Sequence, residues 1–340
     1  MSVLIDSGVS SRGWSYYGKF ARCPRLFAYE YKLDLALGDS DGFTRGSMTH
    51  TGLAHLYARW SIELHGRALV GTDEGLRELT SMSDLMLPEE AIEAWVAKHE
   101  RGANYLDRIV TTLRAYRAAK PTPPPRIIGV EVELKGVLGF VAGRWGLWEG
   151  NGLSEALGIE RTQADVTPLD CPGHPDHGQP IFITRRADLI VADEAGVVEI
   201  IDHKAHAHVS VARAKEEYVM EGGWAPFRIL GRQLWGNRYS GRVLLNLVQT
   251  TKPYTIKEVA VPATPFRDAQ FPAFLYRLAH EIAQAEVDLP DPWELKAVQS
   301  SCYGSYGLCD GASLCGFGPD AVADLHADDV PMLPPPRLVS

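Results

Sequence analysis

Three residues in the second half of the chain, Asp188, Asp202 and Lys204, have the types and spacing of a hydrolytic metal site. Two carboxylates that lie close together repel each other, so one must take up a proton or a cation must lie between them. Oxygen ligands of this kind suit Mg²⁺ or Mn²⁺. A lysine beside such a cation orients or deprotonates an attacking water and offsets charge on a phosphate. The combination indicates phosphodiester hydrolysis. The alternative is a surface hairpin with a weak ion pair, and spacing alone does not choose between them.

A predicted β-hairpin brings these three residues together. The apolar runs 180–192 and 197–204 are separated by the sequence DEAG, which is typical of a hairpin turn. If the hairpin closes symmetrically about this turn, residues whose numbers add to 390 face each other. Asp188 then faces Asp202, with Cβ atoms about 5 Å apart. Because strand side chains alternate between the two faces, Lys204 shares the face of Asp202.

The region around this hairpin resembles the core of the PD-(D/E)XK nuclease superfamily, and the wider chain resembles its RecB and Cas4 branch. Asp188 precedes the sequence DHK at 202–204 by fourteen residues, at the end of an apolar strand. The sequence GSMTH at 46–50 matches the G-x-x-x-H helix that carries a histidine ligand in that branch. The resemblance implies a metal held by Asp188, Asp202, His50 and the backbone carbonyl of His203. It also implies that Lys204 is the catalytic base or a charge stabiliser.

The same resemblance implies further site residues. A Q-x-x-x-Y-like element follows the lysine, and Gln233 with Tyr239 fills it, although five residues rather than three separate them. Gln233 is expected to position substrate or metal-bound water, and Tyr239 is expected to contact DNA. Arg186, which lies in a stretch with several basic residues, is also expected to contact DNA. Family members often place a catalytic glutamate on the preceding strand. Either Glu131 or Glu133 fits this position, and Glu131 is preferred.

Four cysteines form a second constellation. Cys302, Cys309 and Cys315 lie within fourteen residues near the C-terminal end, whereas Cys23 lies in the sequence ARCPRLF near the start. Four thiolates are what a 4Fe-4S cluster needs, and zinc sites more often use two tight cysteine pairs. The pattern resembles the cluster of Cas4, AddB and related exonucleases. It implies a 4Fe-4S cluster that joins the two ends of the chain, with zinc or unliganded thiols as the alternatives.

The hydrophobic periodicity predicts helices first, then a run of strands, then helices again and a further pair of strands. Helical patterns cover 47–64, 88–118, 210–220, 224–237 and 267–287. Beyond the hairpin, strand patterns cover 127–134, 242–250 and 255–261. We expect an α/β fold, with a restriction-endonuclease-like core in which helices flank a central mixed β-sheet. A helical N-terminal arm and the iron-sulfur clamp would complete it.

This order of elements also predicts a division of the chain. The expected parts are an N-terminal clamp segment at 1–40, a helical region at 41–125, a nuclease core at 126–290 with an irregular insertion at about 150–180, a C-terminal iron-sulfur segment at 291–318, and an acidic, proline-rich tail at 319–340.

The overall composition limits the function. A formal net charge of -9 argues against a general nucleic-acid binder, because phosphate contacts come mainly from Lys and Arg. A nuclease remains compatible with this charge, since a carboxylate metal site is itself negative. The sequence has no apolar run of eighteen residues and no charged-then-apolar leader, so we expect a cytoplasmic protein with no membrane partner.

The predicted function is therefore a metal-dependent DNA exonuclease that acts on single strands or duplex ends. Recombination, repair, phage replication and CRISPR adaptation are the candidate settings, with a helicase, a recombinase or CRISPR adaptation proteins as partners. The rivals are a non-catalytic DNA-end-binding or assembly subunit and a zinc-stabilised structural protein. Two features stay open. Cys171, His174 and His177 are either a small zinc site or, as such spacing more often is, a polar loop with an unliganded thiol. Trp14, Tyr16 and Tyr17 either stack on bases or are core residues, which is the more frequent role.

Overall fold

The computed structural model describes residues 2–5, 12–33, 35, 41–72, 75–141, 143–150, 153–157, 165–219, 222–295, 297–298, 303–304, 307–308 and 315. The chain forms two compact units. The first unit comprises Met1–Trp14, Ser40–Pro168 and Gln179–Tyr276. The second comprises Ser15–Asp39, Leu169–Gly178 and Arg277–Ser340.

A mixed β-sheet forms the centre of the first unit. Within the described residues its strands are β1 (Ala68–Thr72), β2 (Gly75–Leu79), β3 (Arg126–Val141), β4 (Arg144–Glu149), β5 (Phe182–Ala192), β6 (Val198–His206), β7 (Tyr239–Gln249) and β8 (Ile256–Val261). The strand order is β2-β1-β3-β5-β6-β7-β8, and β4 pairs with β3 beside this path. The pairs β1 with β3 and β6 with β7 are parallel, and the others are antiparallel.

Helices pack against this sheet. The helices of the described residues are α1 (Trp14–Arg22), α2 (Pro24–Tyr31), α3 (Asp41–His65), α4 (Pro88–His99), α5 (Leu106–Ala119), α6 (Leu153–Ala156), α7 (Val211–Val219), α8 (Ala225–Trp235) and α9 (Pro265–Asp288). Helix α3 contacts β1, β3, β5 and β6, and α8 contacts β4, β5 and β7. Apolar residues of α3 such as Leu53 and Tyr57 recur at helical spacing and join Val130 and Leu189 in one buried core. The expected α/β fold with helices flanking a central mixed sheet is confirmed.

The second unit contains α2, most of α1, the C-terminal half of α9 and the short strands β9 (Tyr303–Gly304) and β10 (Gly307–Leu308). Cys23 caps the start of α2, and Pro24 occupies the first helical position, where its missing N–H costs nothing. Cys23 packs with Leu26 and Tyr29 in a small hydrophobic cluster that also includes Cys315.

Two features of the region 41–125 differ from the sequence-based expectation. The single helix predicted over 88–118 is two helices, because Glu100 and Gly102 both adopt left-handed backbone conformations, with φ of 53° and 85°. Strands β1 and β2 also lie in this region and extend the sheet beyond β3. Among the described residues, no helix combines the length and the apolar character needed to cross a membrane.

Candidate metal centre

The β5–β6 hairpin has the register that the sequence predicts. Its paired residues include Leu189 with Ile201 and Ala192 with Val198, and each pair adds to 390. The ladder ends at Leu189 and Ile201, one position before Asp188 and Asp202. From there β5 continues along β3 and β6 continues along β7. The two aspartates therefore lie where the strands part, at the mouth of a fork in the sheet.

A third carboxylate joins this fork from β3. Val130 pairs with Leu189 and Val132 pairs with Ala187, so Glu131 stands opposite Asp188. The backbone of Glu131 is left-handed, with φ of 53°, which is uncommon for a residue that has a Cβ atom. On β1, a Cβ added to Gly71 would lie 1.9 Å from the carbonyl oxygen of Glu131. The glycine therefore gives the distorted segment of β3 room to approach β1.

Helix α3 brings His50 to the same carboxylates. Its Nδ1 atom lies 3.4 Å from Oδ2 of Asp188. Ligand atoms of His50, Glu131 and Asp188 all lie within 4.8 Å of one another. Glu131 is 1% exposed, and its Oε2 atom has no hydrogen-bond partner among the described residues. A buried carboxylate oxygen without a partner, beside a second carboxylate and an imidazole, fits a divalent cation such as Mg²⁺ or Mn²⁺.

The charges of this group are strongly coupled. Burial, reinforced by the negative charge of Asp188, raises the pKa of Glu131 well above its usual range. Burial alone would also raise the pKa of Asp188, but the adjacent His50 outweighs this effect and lowers it. Burial disfavours the charged form of His50, yet Asp188 prevails and raises the pKa of the ring to about 9. Asp188 and His50 thus stabilise each other's charged forms, whereas burial favours the neutral form of Glu131.

Asp202 lies beside this group and is paired with two cationic side chains. The Nζ atom of Lys204 is 2.7 Å from Oδ2 of Asp202, and Nη2 of Arg185 is 4.0 Å from Oδ1. The guanidinium of Arg185 also stacks on Trp224 and Phe227, which fixes its position. Burial opposes the charge of Lys204, but Asp202 and Asp188 outweigh it and raise the pKa of the ammonium. Lys204 is therefore a cation held at the fork.

Comparison with family models adds a match along most of the chain. The model of the PD-(D/E)XK nuclease superfamily matches residues 14–316. The chain belongs to the PD-(D/E)XK nuclease superfamily. A comparison with curated proteins finds no match. The superfamily assignment agrees with a forked sheet that presents Asp188, Asp202 and Lys204 together.

Two further residues expected at the site act on this group, His203 through a hydrogen bond and Arg186 through its charge. The backbone N–H of His203 donates to Oδ2 of Asp188, which fixes that carboxylate from the β6 side. The side chain of His203 is buried, and burial lowers the pKa of its ring to about 3, so the ring is neutral. The charge of Arg186 opposes the rise in the pKa of Glu131. Its Nε and Nη1 atoms are buried and have no hydrogen-bond partner in the described part of the chain.

The structure places Gln233 and Tyr239 away from these contacts. The side-chain amide of Gln233 donates to the carbonyl of Leu147 on β4. Tyr239 is 6% exposed, and its hydroxyl donates to the carbonyl of Arg242. Little of the Tyr239 ring is therefore open to DNA in this conformation. The roles expected for Gln233 and Tyr239 stay predictions.

Two of the four expected cluster cysteines lie in the described part of the second unit. Cys23 is buried, and Cys315 packs against the hydrophobic cluster to which Cys23 belongs. The hydroxyl of Tyr29 in this cluster donates to Sγ of Cys315 over 3.6 Å. Cys302 and Cys309 lie outside the described residues. The 4Fe-4S cluster therefore stays a prediction.

The two features left open by the sequence have structural explanations in the described residues. The only group of metal-binding type found there is that of His50, Glu131 and Asp188. In the insertion, Nδ1 of His177 accepts the N–H of Cys171, and Nε2 of His174 bonds to Glu286 over 2.9 Å. These residues thus fix the loop rather than form a second metal group.

The aromatic residues near the start of the chain are mainly packed. Tyr16 and Tyr17 are buried, and the ring of Tyr16 packs edge-on against Phe27. Trp14 contacts Phe271 with ring centroids 6.0 Å apart.

Gly71 shapes the site but was not among the residues expected from the sequence. Its signal is a glycine inside a short β-prone run, which indicates close approach of another backbone.

Proposed function

We propose that this chain is a metal-dependent DNA nuclease that hydrolyses phosphodiester bonds. The observation that carries the proposal is the convergence of His50, Glu131 and Asp188 at the strand fork, next to the ion pair of Lys204 with Asp202. Membership of the PD-(D/E)XK nuclease superfamily supports the same reaction class. A non-catalytic subunit would have no need of a buried carboxylate oxygen that lacks a hydrogen-bond partner among the described residues and lies beside two other metal-binding side chains.

Each residue at the fork has a distinct proposed role. His50, Glu131 and Asp188 would hold Mg²⁺ or Mn²⁺, with Asp202 and the backbone carbonyl of His203 completing the ligands. A divalent cation held there would lower the pKa of a water molecule and offset phosphate charge.

The cationic side chains complete the proposed arrangement. Lys204, held 2.7 Å from Asp202, would place its positive charge against the phosphate as negative charge develops in the transition state. The N–H groups of Arg186 that have no acceptor among the described residues would donate to a phosphate oxygen. Arg185, stacked on aromatic rings, would keep Asp202 oriented towards Lys204.

We further propose that the enzyme is an exonuclease of the RecB and Cas4 type that acts on single strands or duplex ends. The histidine on α3 supports this branch, since the G-x-x-x-H helix contributes to the metal group here. Recombination, repair, phage replication and CRISPR adaptation are the proposed settings, with a helicase, a recombinase or adaptation proteins as partners. The alternative is a DNA-end-binding subunit without activity.

Digestion of linear and circular single-stranded DNA of the same sequence tests this proposal. With Mn²⁺ or Mg²⁺ present, we expect the linear strand to be degraded from an end while the circle survives. A circle cut at the rate of the linear strand would show an endonuclease. Tight binding to DNA ends without cleavage under any divalent metal would favour the non-catalytic alternative.

We also propose that Cys23, Cys302, Cys309 and Cys315 hold a 4Fe-4S cluster. The support is that Cys23 and Cys315, almost three hundred positions apart, belong to the same hydrophobic cluster. Closing so long a loop removes conformational freedom from the unfolded chain. Anaerobic purification should give a brown protein that absorbs near 400 nm and contains about four irons per chain. One zinc per chain and no colour would refute the proposal.

A further inference from the structure

A buried hydrogen-bonded chain of side chains lies behind the metal group. The amide Nδ2 of Asn246 on β7 is 2.8 Å from Nδ1 of His203 on β6 and 2.8 Å from the hydroxyl of Tyr116 on α5. The hydroxyl of Tyr116 is in turn 2.6 Å from that of Tyr57 on α3. The chain therefore ties two helices to two neighbouring strands. None of these four side chains has a role in the mechanism proposed above.

These four side chains are held in a closed environment. His203, Asn246, Tyr116 and Tyr57 are all at most 3% exposed. The ring of Tyr57 also stacks on the imidazole of His203, with centroids 5.7 Å apart and planes inclined by 15°. Hydrogen bonds within a buried polar group are costly to break, because the remaining partners cannot turn to water. The hydrogen-bonded network thus sets the position of α3 against β6.

Both ends of this hydrogen-bonded network, Tyr57 and His203, are connected to the same carboxylate oxygen of Asp188. Tyr57 follows His50 by seven residues, two helical turns along the same face of α3. His50 approaches Oδ2 of Asp188 at 3.4 Å, and the backbone N–H of His203 donates to that same oxygen. Fixing the His203 ring fixes the peptide that makes this second contact. The orientation of Asp188 is therefore set from α3 and from β6 at once.

We propose that Tyr57, Tyr116, Asn246 and His203 are positioning residues that hold His50 and Asp188 in the geometry required by a divalent cation. This inference rests on the metal site of the proposed function. Residues that orient metal ligands typically change metal affinity by about 10- to 100-fold when they are replaced. The proposal requires that their loss weakens metal binding even though none of their side chains is a ligand.

Calorimetric titration of Mn²⁺ into the DNA-free protein tests the proposal without any need for activity. Tyr116→Phe removes one hydroxyl from the chain, and Asn246→Leu removes the central amide at similar volume. We expect each variant to bind Mn²⁺ about 10-fold more weakly than the native chain. The double variant should be little weaker than the poorer single variant, because both act through one network.

Thr112→Val provides a matched control. Thr112 lies one turn before Tyr116 on α5, is equally buried, and donates its hydroxyl to the carbonyl of Arg108, outside the network. Thr112→Val should lower the melting temperature as Tyr116→Phe does, but it should leave the affinity for Mn²⁺ unchanged. If Asn246→Leu fails to fold, Tyr116→Phe and Tyr57→Phe carry the test.

The outcomes separate this inference from the proposed function. If the native chain binds Mn²⁺ and the folded variants Tyr116→Phe and Tyr57→Phe bind it with the same affinity, the positioning role is wrong and the metal site remains supported. Failure of the native chain to bind Mn²⁺ would overturn both. For the cleavage reaction, we expect the Mn²⁺ concentration at half-maximal rate to rise about 10-fold in Tyr116→Phe, with a smaller change in kcat at saturating metal.

Discussion

Replacing Glu131 by glutamine should stabilise the protein without a divalent cation and weaken the stabilisation that a cation provides. Glu131 is buried opposite Asp188, and burial with this neighbour raises its pKa. The native fold therefore binds a proton here that the unfolded chain, with its glutamate pKa near 4.5, releases as the pH rises. A group of this kind costs stability increasingly above about pH 4.5. Glutamine has the same shape and no charge, so the variant should avoid this cost.

The magnitude follows from the geometry of the group. At 4.8 Å, the largest separation of the ligand atoms, two unit charges repel by about 3 kcal/mol at an effective dielectric constant of about 20. Because protonation already relieves part of this repulsion, we expect Glu131→Gln to raise the free energy of unfolding in EDTA at pH 8 by about 1–3 kcal/mol. Mn²⁺ at 100 times the native Kd should stabilise the native chain by about 2.7 kcal/mol. At the same Mn²⁺ concentration, Mn²⁺ should stabilise a variant with 10-fold weaker affinity by about 1.4 kcal/mol or less.

Urea unfolding in EDTA and in Mn²⁺, at pH 6 and pH 8, measures these differences. Glu133→Gln is the control, because Glu133 lies on the same strand, two residues further along, outside the metal group. It should respond to Mn²⁺ as the native chain does. A loss of stability in EDTA on Glu131→Gln would contradict this prediction. So would Mn²⁺ stabilisation of the variant as large as that of the native chain.

Three other substitutions test the structure around the site. Gly71→Ala should destabilise the fold by about 1–3 kcal/mol and weaken Mn²⁺ binding, because its Cβ would lie 1.9 Å from the Glu131 carbonyl; calorimetry that shows native affinity would contradict this. Burial lowers the pKa of His55 to about 4, so the native fold loses stability as the pH falls from about 6.5 towards 4. His55→Gln should reduce the slope of the unfolding free energy against pH over that range by up to about 1.4 kcal/mol per pH unit. An unchanged slope would contradict the lowered pKa of His55. Asp268→Ala should cost about 3–5 kcal/mol in urea unfolding, since it leaves the buried charge of Arg228 without its carboxylate, and Asp268→Leu combined with Arg228→Met should recover most of the loss.

The register of the β5–β6 hairpin is predictable from the sequence, because the residues of its turn determine it. Asp193 accepts the N–H of Val197 through its side chain, and Gly196 takes a left-handed backbone that favours glycine. With this turn in place, the alternation of side chains decides which residues face each other. The approach of Asp188 and Asp202 follows from this register, but the direct pairing expected between them does not form, because the ladder ends at Leu189 and Ile201 and the strands part there.

The choice between Glu131 and Glu133 was harder, because it depends on backbone geometry that residue type does not encode. Both glutamates lie on β3, and only Glu131 has the left-handed backbone, with Gly71 of a distant strand providing the space. The break between α4 and α5 has a similar origin, since Glu100 adopts a left-handed conformation at a position where the helical pattern continues. Such conformations are imposed by packing rather than by local propensity.

The hydrogen-bonded network was also beyond sequence reasoning. Tyr57 and Tyr116 are buried tyrosines of two helices, and the sequence gives no sign that they differ from ordinary core residues. Their contact with Asn246 depends on how α3 and α5 meet the sheet, which no local pattern specifies. The sequence offers one indication of the network, which is the polar residue Asn246 inside the apolar run of β7, since a buried amide needs hydrogen-bond partners.

The metal-dependent nuclease proposal is best tested by cleavage of end-labelled single-stranded DNA in Mn²⁺, with the native chain compared with Lys204→Ala. We expect the native chain to degrade the strand and Lys204→Ala to lose at least about 100-fold in rate, because a cation aimed at the reacting phosphate is removed. Calorimetry should show that Lys204→Ala still binds Mn²⁺. Equal cleavage by the variant would refute the role of Lys204, and no cleavage by the native chain with any divalent metal would refute the nuclease proposal.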